Sequence, residues 1–363
     1  MNNSQAIFEI AISKIKGIGI KNASHILSKT DLKSFFEDNI SINHEKTGIS
    51  YSFLKKINFK RALELAEKEL NELIKKKCAF SFFNNNDYPY RLKHCQDKPI
   101  ILYHKGTSDF NAKKTVAIVG TRKASDEGCF LTKELISTLS KQNITIVSGL
   151  AYGIDIAAHK ACLNYNTPTF AVMGHGFDYV YPACHKKELE RIIDSGRIFS
   201  EHPPNIAPTK FFFAKRNRII AGLADATIVM ESNLKGGAMI TANLANDYQK
   251  DVFAFPGNVF SSNYKGCNKL IQDNKAHLIT NGYDFLSFMD WRQQRSSISS
   301  SIKNELSKDE MEVYNIIRRK KIISINEICT LSSIKESFIN SILIFLELKG
   351  LVKAIPGKKI ILN

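Results

Sequence analysis

The sequence predicts an α/β fold in which a doubly wound parallel sheet lies between an N-terminal helical domain and a C-terminal winged helix. From Lys114 onward, short β-branched runs alternate with helix-length segments, which is typical of a parallel sheet with helices on both faces. Residues 6–80 instead carry apolar positions three and four apart, as amphipathic helices do. Residues 303–363 show three helical patterns and then two short strands about a Pro-Gly turn, which is the order of a winged helix.

These patterns divide the 363 residues into four parts. Residues 1–80 form the helical domain, where AIFEIAISKI and FKRALELAEKELNELIKKK are the clearest helices. Residues 81–290 form the core, whose sheet is expected at roughly residues 112–288 after a stretch of loops and short strands. Residues 291–302 are a Ser-rich linker, and residues 303–363 are the winged helix.

The charge balance favours a polyanionic partner. Lys and Arg number 51 against 35 Asp and Glu, a net charge of +16, which suits nucleic acid. General solubility of a Lys-rich protein is the alternative. The seven cysteines include no CxxC pair, so we expect a reducing compartment and no disulfide framework. No apolar run approaches the ~20 residues of a membrane span, so we expect a cytoplasmic protein without membrane contact.

The first predicted strand ends in the sequence VAIVGTR, at the sheet edge where open α/β sheets bind ligands. The dinucleotide fingerprint GxGxxG is missing there, because Gly120 is followed by Thr121 and Arg122; we therefore expect no nicotinamide cofactor, and no other cofactor is indicated. Arg122 can offer a planar donor fork to a phosphate beside the amides of a turn into a helix. Its alternative role is that of a surface arginine in a turn.

A second candidate site is the segment SGLAYGIDIAAH. Ser148 and Gly149 open its loop, and Gly153 allows the backbone to approach a ligand closely. Asp155 is a candidate cap for the helix that carries His159, four residues further on. We favour a structural role at the helix start over a catalytic pair.

The third candidate site, FFFAKRNR, places cations directly after three phenylalanines. Cations beside aromatic rings suit single strands, since bases stack while the cations follow phosphates. At least two of the rings at residues 211–213 are expected to belong to the core, and Arg218, like Arg122, is expected on a loop at the sheet edge. The candidate contacts here are Lys215, Arg216, Asn217 and Arg218.

The fourth candidate site is the Gly-rich turn KGGAMITA, which leads into a helix N-terminus and is another anion-binding element. Its candidate contacts are Lys235, Gly236, Gly237 and Thr241. No metal is expected, because His175, Asp178, Cys184 and His185 have no usual zinc spacing. Tyr179, Tyr181 and Pro182 are expected to pack within their loop, and no sequence motif supports a Ser-His-Asp or Cys-His arrangement.

Both ends of the chain carry weaker signals. Gly17 and Gly19 lie between two helical patterns, as in a helix–hairpin–helix whose turn amides meet a DNA phosphate; a turn used for packing or protein contact is an equal alternative. In the winged helix, INSILIFLELKG is too apolar for a sequence-reading helix, which favours packing or protein contact.

The ordered set VGTR, SGLAYGIDIAAH, GHGFDYVYP, SEHPP, RNRIIAGLADATIVMES, FAFPGN and GCNKLIQDNKAHLI resembles the DprA/Smf family. The resemblance covers nearly the whole chain. It implies a Rossmann-like core, an N-terminal domain of the SAM or helix–hairpin–helix kind, and a winged helix. It also implies single-stranded DNA and the RecA recombinase as partners, and a core that dimerises. The implied DNA contacts are Gly120, Thr121, Arg122, Ser125, Ser148, Gly149, residues 215–218 and the turn at residues 235–241.

The function predicted from these motifs is that of a non-enzymatic recombination mediator, which protects incoming single-stranded DNA and loads RecA during natural transformation. The dimer contact is expected around FAFPGNVF and GCNKLI. The alternative is a nucleotide-binding enzyme of the phosphoribohydrolase type, since GGAMITA is similar to the PGGxGTxxE element of those enzymes. That chemistry needs a carboxylate three residues after Thr241, where Leu244 stands instead.

Overall fold

The structure, a computed structural model, describes residues 3–291, 306–320, 322–349, 351–355 and 359–362. The chain forms two compact units, residues 1–292 and residues 293–363. Apart from Trp291, the predicted Ser-rich linker lies outside the described residues.

Residues 3–75 form helices, as their periodicity predicts. The longest is amphipathic and begins where the Asn58 side chain accepts a hydrogen bond from the Arg61 amide, which is a usual N-cap. It packs along the first helix within the larger unit. The helices are α1 Asn3–Lys14, α2 Ile20–Lys29, α3 Leu32–Glu37, α4 Ile40–Thr47, α5 Tyr51–Leu54 and α6 Phe59–Lys75.

A nine-stranded sheet forms the centre of the larger unit, with the order β1-β2-β6-β5-β4-β3-β7-β8-β9. The strands are β1 Ala79–Phe82, β2 Ile101–Gly106, β3 Thr115–Val119, β4 Thr145–Ser148, β5 Thr169–Met173, β6 Arg197–Ser200, β7 Ala226–Val229, β8 Asp251–Ala254 and β9 His277–Leu278. Strands β3 to β9 run parallel. The predicted doubly wound parallel sheet is confirmed, since a strand lies within each of the β-branched runs VAIVG, ITIVSG, TFAVMG, IFSEH, ATIVMES and DVFAFPG.

The sheet begins earlier than residue 112, because β1 and β2 extend it by antiparallel pairing. Tyr103 of β2 lies opposite Ser200 of β6 in this register. An edge strand that joins a parallel sheet in the opposite sense is common in large sheets. The predicted extent of the sheet was therefore too short.

Strands β3, β4, β5 and β7 of the sheet are buried on both faces. Alternate residues belong to different apolar clusters: Phe170 packs on the side of the helices at residues 210–223 and 237–247, and Ala171 on the side of the helix at residues 186–195. Helices therefore cover both faces of the sheet. They are α7 Tyr90–Lys93, α8 Asp126–Leu139, α9 Ile154–Asn164, α10 Lys186–Ser195, α11 Lys210–Leu223, α12 Gly237–Asp247, α13 Lys265–Gln272 and α14 Gly282–Phe288.

The smaller unit has the element order of a winged helix. Its elements are α15 Lys308–Lys320, β10 Ile322–Ser324, α16 Ile325–Leu331, α17 Glu336–Leu348, β11 Val352–Ile355 and β12 Lys359–Leu362. The strands pair antiparallel in the order β10-β12-β11, around a core that includes Ile317, Ile339 and Leu343. The predicted order of three helices and two strands is present, β10 is an additional strand, and the Pro-Gly turn lies outside the described residues.

Within the described residues, no single helix is long and apolar enough to cross a membrane. The helices Ile325–Leu331 and Glu336–Leu348 are together long and apolar enough by length and composition alone, with a bend of 118° between them.

Candidate nucleic-acid interface

An open cavity of about 450 Å³ lies at the carboxyl edge of the parallel sheet. Three segments form its walls, namely the loop after β3, the first three turns of α11, and the loop from β7 into α12, and residues of the loop after β4 contribute to its floor. Its lining residues are Val119, Gly120, Thr121, Arg122, Ala151, Asp155, Lys210, Phe213, Ala214, Arg216, Asn217, Ile220, Ser232, Asn233, Lys235, Gly236, Gly237, Ala238, Ile240 and Thr241. All four predicted sites therefore contribute residues to this cavity.

Arg122 stands exposed on the loop after β3, as predicted. Its guanidinium carbon lies 5.6 Å from the centre of the Phe213 ring, within the range of a cation–π contact. Within the part of the chain that the structure describes, no carboxylate forms an ion pair with Arg122. The charge of this arginine is therefore available to a ligand.

The N-terminus of α12 opens into the same cavity. Gly236 occupies the N-cap position, and no side chain caps the helix there; Lys235 just before it is exposed. A Cβ on Gly237 would meet its nearest neighbour, Asn217 Nδ2, at 3.5 Å, and one on Gly236 would meet Ser232 Oγ at 3.6 Å. Since these are ordinary contact distances, packing does not demand glycine at either position. An uncapped helix start with exposed glycines suits close approach by an anion.

Aromatic rings border the cavity on the side of Arg122. The rings of Phe213 and Tyr181 lie 5.2 Å apart, centre to centre, with a tilt of 40°. Tyr152 and Pro182 join them around a smaller depression that Arg122 also lines. The side chain of Tyr181 is 44% exposed, so the prediction that it packs away within its loop was wrong.

The prediction for the phenylalanines at residues 211–213 was also wrong. Phe211 is 70% exposed, and Phe212 and Phe213 are half-buried, so none of the three belongs to the core. They lie in the first turn of α11, which starts at Lys210 after the Thr209 hydroxyl caps the Phe212 amide.

Lys210 and Phe213 line the cavity and were not predicted as site residues. The sequence signal that indicates these two residues is the helical spacing after Thr209. Along that helix, neighbouring lining residues are one, three or four positions apart and share one face, as Lys210, Phe213, Ala214 and Asn217 do.

The segment AKRNR lies within α11, so the prediction of a loop position for Arg218 was wrong. Successive helix residues point about 100° apart, which separates the four candidate side chains. Arg216 is 5% exposed and donates to the carbonyl of Gly149 at 2.7 Å and to that of Val172. Lys215 and Arg218 both form ion pairs with Glu201.

The remaining residue of this segment, Asn217, lines the cavity. Its side-chain amide donates to the Gly237 carbonyl at 3.3 Å. Because that bond joins α11 to the first residue of α12, Asn217 holds the two sides of the cavity together.

Arg216 and Asp155 form the buried floor of the cavity. Burial lowers the pKa of Arg216 to about 10, while Asp155 opposes that shift. Burial raises the pKa of Asp155, and Arg216 opposes that shift in turn. The Asp155 carboxylate also accepts a hydrogen bond from the Gly149 amide at 3.1 Å. Arg216 donates to the Gly149 and Val172 carbonyls and its charge stabilises that of Asp155, so it supports the cavity floor from within the protein.

Several other candidate contacts are engaged within the protein. The Ser148 hydroxyl is fully buried and donates to the Ile118 carbonyl at 2.7 Å. The Ser125 hydroxyl caps α8 and donates to the buried carboxylate of Glu231. Thr241, also buried, donates to the Gly237 carbonyl at 3.0 Å. Each of these three hydroxyls therefore donates its proton to a group within the protein, which does not support the predicted ligand contacts.

Two of the candidate glycines are required by packing. A Cβ on Gly149 would lie 2.2 Å from the Arg216 guanidinium, and one on Gly120 would lie 2.3 Å from the Ile154 side chain. Gly153 has φ +74°, and a Cβ there would lie 2.2 Å from the Thr121 carbonyl oxygen. The loops after β3 and β4 therefore interlock, which fixes the position of Arg122.

Sequence comparison identifies the family of this chain. The model of the family described as DNA recombination-mediator protein A matches residues 79–290. The chain belongs to this family, DprA/Smf. Protein Smf of Synechocystis is 36% identical over 284 residues, which span 77% of this chain and 71% of that protein. DNA processing protein DprA of Streptococcus pneumoniae is 38% identical over 62% of this chain and 79% of its own length.

Solved DprA structures share this fold. The X-ray structure of DprA from Streptococcus pneumoniae superposes with a TM-score of 0.67 at 32% identity, covering 77% of this chain and 97% of that one. DprA from Helicobacter pylori, whose structure concerns its single-stranded DNA binding mode, superposes with a TM-score of 0.53 at 32% identity. That match covers 58% of this chain and 95% of the Helicobacter chain.

The cavity of this DprA family member offers little for acid–base chemistry. Asp155 is the only carboxylate among the described residues that line the cavity. It accepts a hydrogen bond from the Gly149 amide and lies near the Arg216 guanidinium. Leu244, at the position where a phosphoribohydrolase needs its carboxylate, packs against the apolar core. His159 is fully buried, is hydrogen-bonded to Thr169 at 2.8 Å, and has its pKa lowered by burial to about 3.

The four residues considered for a metal have other partners. His175 and His185 are hydrogen-bonded to the Gly176 and Leu150 carbonyls, Asp178 pairs with Lys76, and the Cys184 thiol donates to the Tyr152 hydroxyl. No cluster of three or more His, Cys, Asp or Glu side chains that could hold a metal ion exists among the described residues.

Proposed function

We propose that this protein binds single-stranded DNA in the cavity at the carboxyl edge of its sheet and acts as a recombination mediator without catalytic turnover. The observation that carries the proposal is the pairing of Arg122 and Phe213 opposite the uncapped start of α12. A single strand needs both phosphate-binding and base-stacking groups within one groove. Membership of the family and the single-stranded DNA binding of the Helicobacter relative support the same proposal.

The cations and the helix start would hold the sugar-phosphate backbone. Arg122, Lys210 and Lys235 border the cavity from its three surrounding segments, so one phosphate can be reached from more than one side. The exposed amides at Gly236 and Gly237 add donors without a side chain in the way. Contacts to phosphate carry no sequence information, so binding would tolerate any sequence.

The rings of Phe213 and Tyr181 would stack against the bases of the bound strand. Their tilted arrangement exposes ring surface beside Arg122, and every base can stack on an aromatic face. A duplex hides its base faces within the helix. The aromatic border therefore favours single-stranded over double-stranded DNA.

The absence of turnover is part of this proposal. Asp155 is already bonded to the Gly149 amide and faces the Arg216 guanidinium, so it has no free role as an acid, base or nucleophile. A bound strand would be held and protected in the cytoplasm and passed to RecA, as the family resemblance implies. The test of this step is whether the protein accelerates RecA filament formation on single strands coated with single-strand-binding protein.

A homodimer through the core would join two cavities into one DNA track. The residues FAF and GCNKLI do not offer this contact, because Phe253, Phe255, Cys267 and Leu270 are buried in the core. The exposed apolar residues nearby are Val259 and Phe260, the latter 89% exposed. Their loop is tied to the Arg122 loop by a hydrogen bond from Asn263 Nδ2 to the Lys123 carbonyl. A contact there would place two cavities side by side, and linked sites bind long strands more tightly than single ones.

Photocrosslinking tests the location of the site directly. Full-length protein would be bound to a twenty-nucleotide strand that contains 4-thiothymidine, irradiated, digested and analysed by mass spectrometry. We expect crosslinked peptides to contain Phe213, Tyr181 or residues 235–241. Crosslinks confined to the smaller unit or to residues 3–75 would show that the strand binds elsewhere.

A further inference from the structure

A second concave site lies in the N-terminal helices, in the same compact unit as the proposed DNA cavity. The cleft has a volume of about 370 Å³ and lies between the turn after α1, the end of α5 and the start of α6. We propose that it binds an acidic peptide segment of a partner protein through one large apolar side chain. The proposal does not depend on the DNA-binding function assigned to the other cavity.

The floor of the cleft is aliphatic and aromatic. Ile15, Phe53, Ile57, Ala62 and Leu65 contribute to it, and Leu65 remains 37% exposed. Pockets of about 300–1,000 Å³ with mostly apolar walls are the usual ligand sites of proteins. The cleft is therefore large enough, and apolar enough, to take a leucine- or phenylalanine-sized side chain.

The shape of the cleft is fixed by the turn before α2. Gly17 has φ +93°, and a Cβ there would lie 2.8 Å from Phe53 Cε2. The Phe53 ring therefore rests directly against the backbone of the turn. A wall held in this way exists before any ligand arrives, which reduces the ordering cost of binding.

The rim of the cleft is basic. Its charged residues are Lys14, Lys16, Lys56 and Arg61, and no Asp or Glu is among its described lining residues. Lys14 pairs with Glu69 at 2.5 Å, and Arg61 lies 3.4 Å from Glu64. Lys16 and Lys56 are exposed and form no ion pair within the described part of the chain. This charge is complementary to acidic side chains on either side of an apolar anchor.

The same features argue against a nucleotide as the ligand. A base would bring hydrogen-bonding edges onto an aliphatic floor, where unpaired polar groups are costly. The polar side chain at this end of the cleft, Asn58, uses its oxygen to cap α6. An apolar side chain leaves no polar group unpaired, so a peptide fits the cleft better than DNA does.

The test uses full-length protein and fluorescein-labelled decapeptides that carry six Asp or Glu residues around one variable central position. We expect anisotropy titrations to give at least fivefold tighter binding with Leu, Phe or Trp at the centre than with Ser. The variant Lys16→Glu/Lys56→Glu should weaken binding of the best peptide at least tenfold. The control Lys68→Glu/Lys75→Glu, with the same charge change on exposed positions of α6 outside the cleft, should weaken it less than twofold.

Three further measurements distinguish this peptide site from its alternatives. Leu65→Ser, at a partly exposed position where folding should be little affected, should remove most of the preference for an apolar centre. Arg122→Ala should leave peptide affinity unchanged, and unlabelled twenty-nucleotide poly-dT should not displace the peptide. Equal binding of Ser- and Leu-centred peptides, or loss of binding in Arg122→Ala, or displacement by poly-dT, would overturn the proposal.

Discussion

The Arg122 guanidinium lies 5.6 Å from the centre of the Phe213 ring, so one cation and one aromatic face are presented side by side at the edge of the sheet. The two residues belong to different segments, the loop after β3 and the first turn of α11. The loop is held by interlocked backbone, and the helix by the Thr209 cap. Their juxtaposition is a property of the folded core.

Replacement of either residue should weaken binding of single-stranded DNA. We expect Arg122→Ala to lower affinity about tenfold and to reduce the dependence on salt, because one phosphate contact is lost. Phe213→Ala should cost about 1–3 kcal/mol of binding free energy, the usual value for one stacked base. Fluorescence anisotropy with a labelled poly-dT strand measures both effects. Lys133→Ala, at an exposed lysine within α8, is the matched control and should bind like the parent.

Arg216 should contribute to stability far more than to binding. Its removal in Arg216→Met leaves Asp155 buried beside unsatisfied carbonyls. Loss of one partner of a buried pair typically costs about 3–5 kcal/mol in the free energy of unfolding. The neighbouring Lys215→Met, at an exposed ion pair, should cost less than about 1 kcal/mol.

Urea unfolding followed by tryptophan fluorescence distinguishes the two substitutions. The chain has one tryptophan, and Trp291 packs against Phe285 in the core of the larger unit. Equal stability of Arg216→Met and the parent would show that Arg216 is not the buried support described above.

The free energy of unfolding should fall as the pH drops below about 6.5. Burial lowers the pKa of His159 to about 3 and that of His104 to about 4. In the unfolded chain these histidines titrate near 6.5, so at pH 5 the unfolded state binds protons that the folded state cannot. Each such histidine contributes a slope of up to about 1.4 kcal/mol per pH unit.

His159→Phe tests that assignment without relying on absolute stability. The variant loses the hydrogen bond to Thr169 at every pH, but the slope between pH 5 and pH 6.5 should also become shallower. An unchanged slope in this variant would mean that His159 takes up its proton in the folded state.

Phe260→Asp should weaken the proposed homodimer. The ring is 89% exposed, so the substitution should not unfold the monomer, whereas a carboxylate within an apolar contact is costly. We expect the dimer dissociation constant to rise at least tenfold in sedimentation experiments on the full chain. Affinity for a sixty-nucleotide strand should fall, while affinity for a ten-nucleotide strand should not. Phe130→Asp, at another exposed phenylalanine, is the control and should leave the dimer intact.

The sequence predicted the sheet well because strand signals are local. Each buried parallel strand of this core is a short β-branched run with polar or glycine residues at its end, as in TIVSG. The loop position of Arg122 was predicted in the same way, because Arg122 follows shortly after the glycine that ends such a strand. The antiparallel strands β1 and β2 were harder to predict, since their pairing with β6 depends on contacts far apart in the sequence.

The details of the candidate site depended on helix geometry that residue types alone do not reveal. The letters KRNR suggest one basic surface, but in α11 Lys215 and Arg218 turn to Glu201, whereas Arg216 faces inward to the buried floor. Tyr181 and Phe213 meet across 32 residues of sequence, so no local pattern indicates their contact. In contrast, the start of α12 was predictable, because paired glycines before a helix form a recognisable local signal.

Single-stranded DNA binding at the cavity is tested most directly by comparing one mixed-sequence twenty-nucleotide strand with its own duplex, by anisotropy at 50 and 200 mM salt. Three or four phosphate contacts on a single strand correspond to a loss of affinity of about twenty- to fiftyfold over that range. We predict at least tenfold tighter binding of the single strand at both salt concentrations, with this steep salt dependence. Equal affinity for strand and duplex, or affinity that does not change with salt, would show that the protein does not bind single-stranded DNA through phosphate contacts and base stacking as proposed.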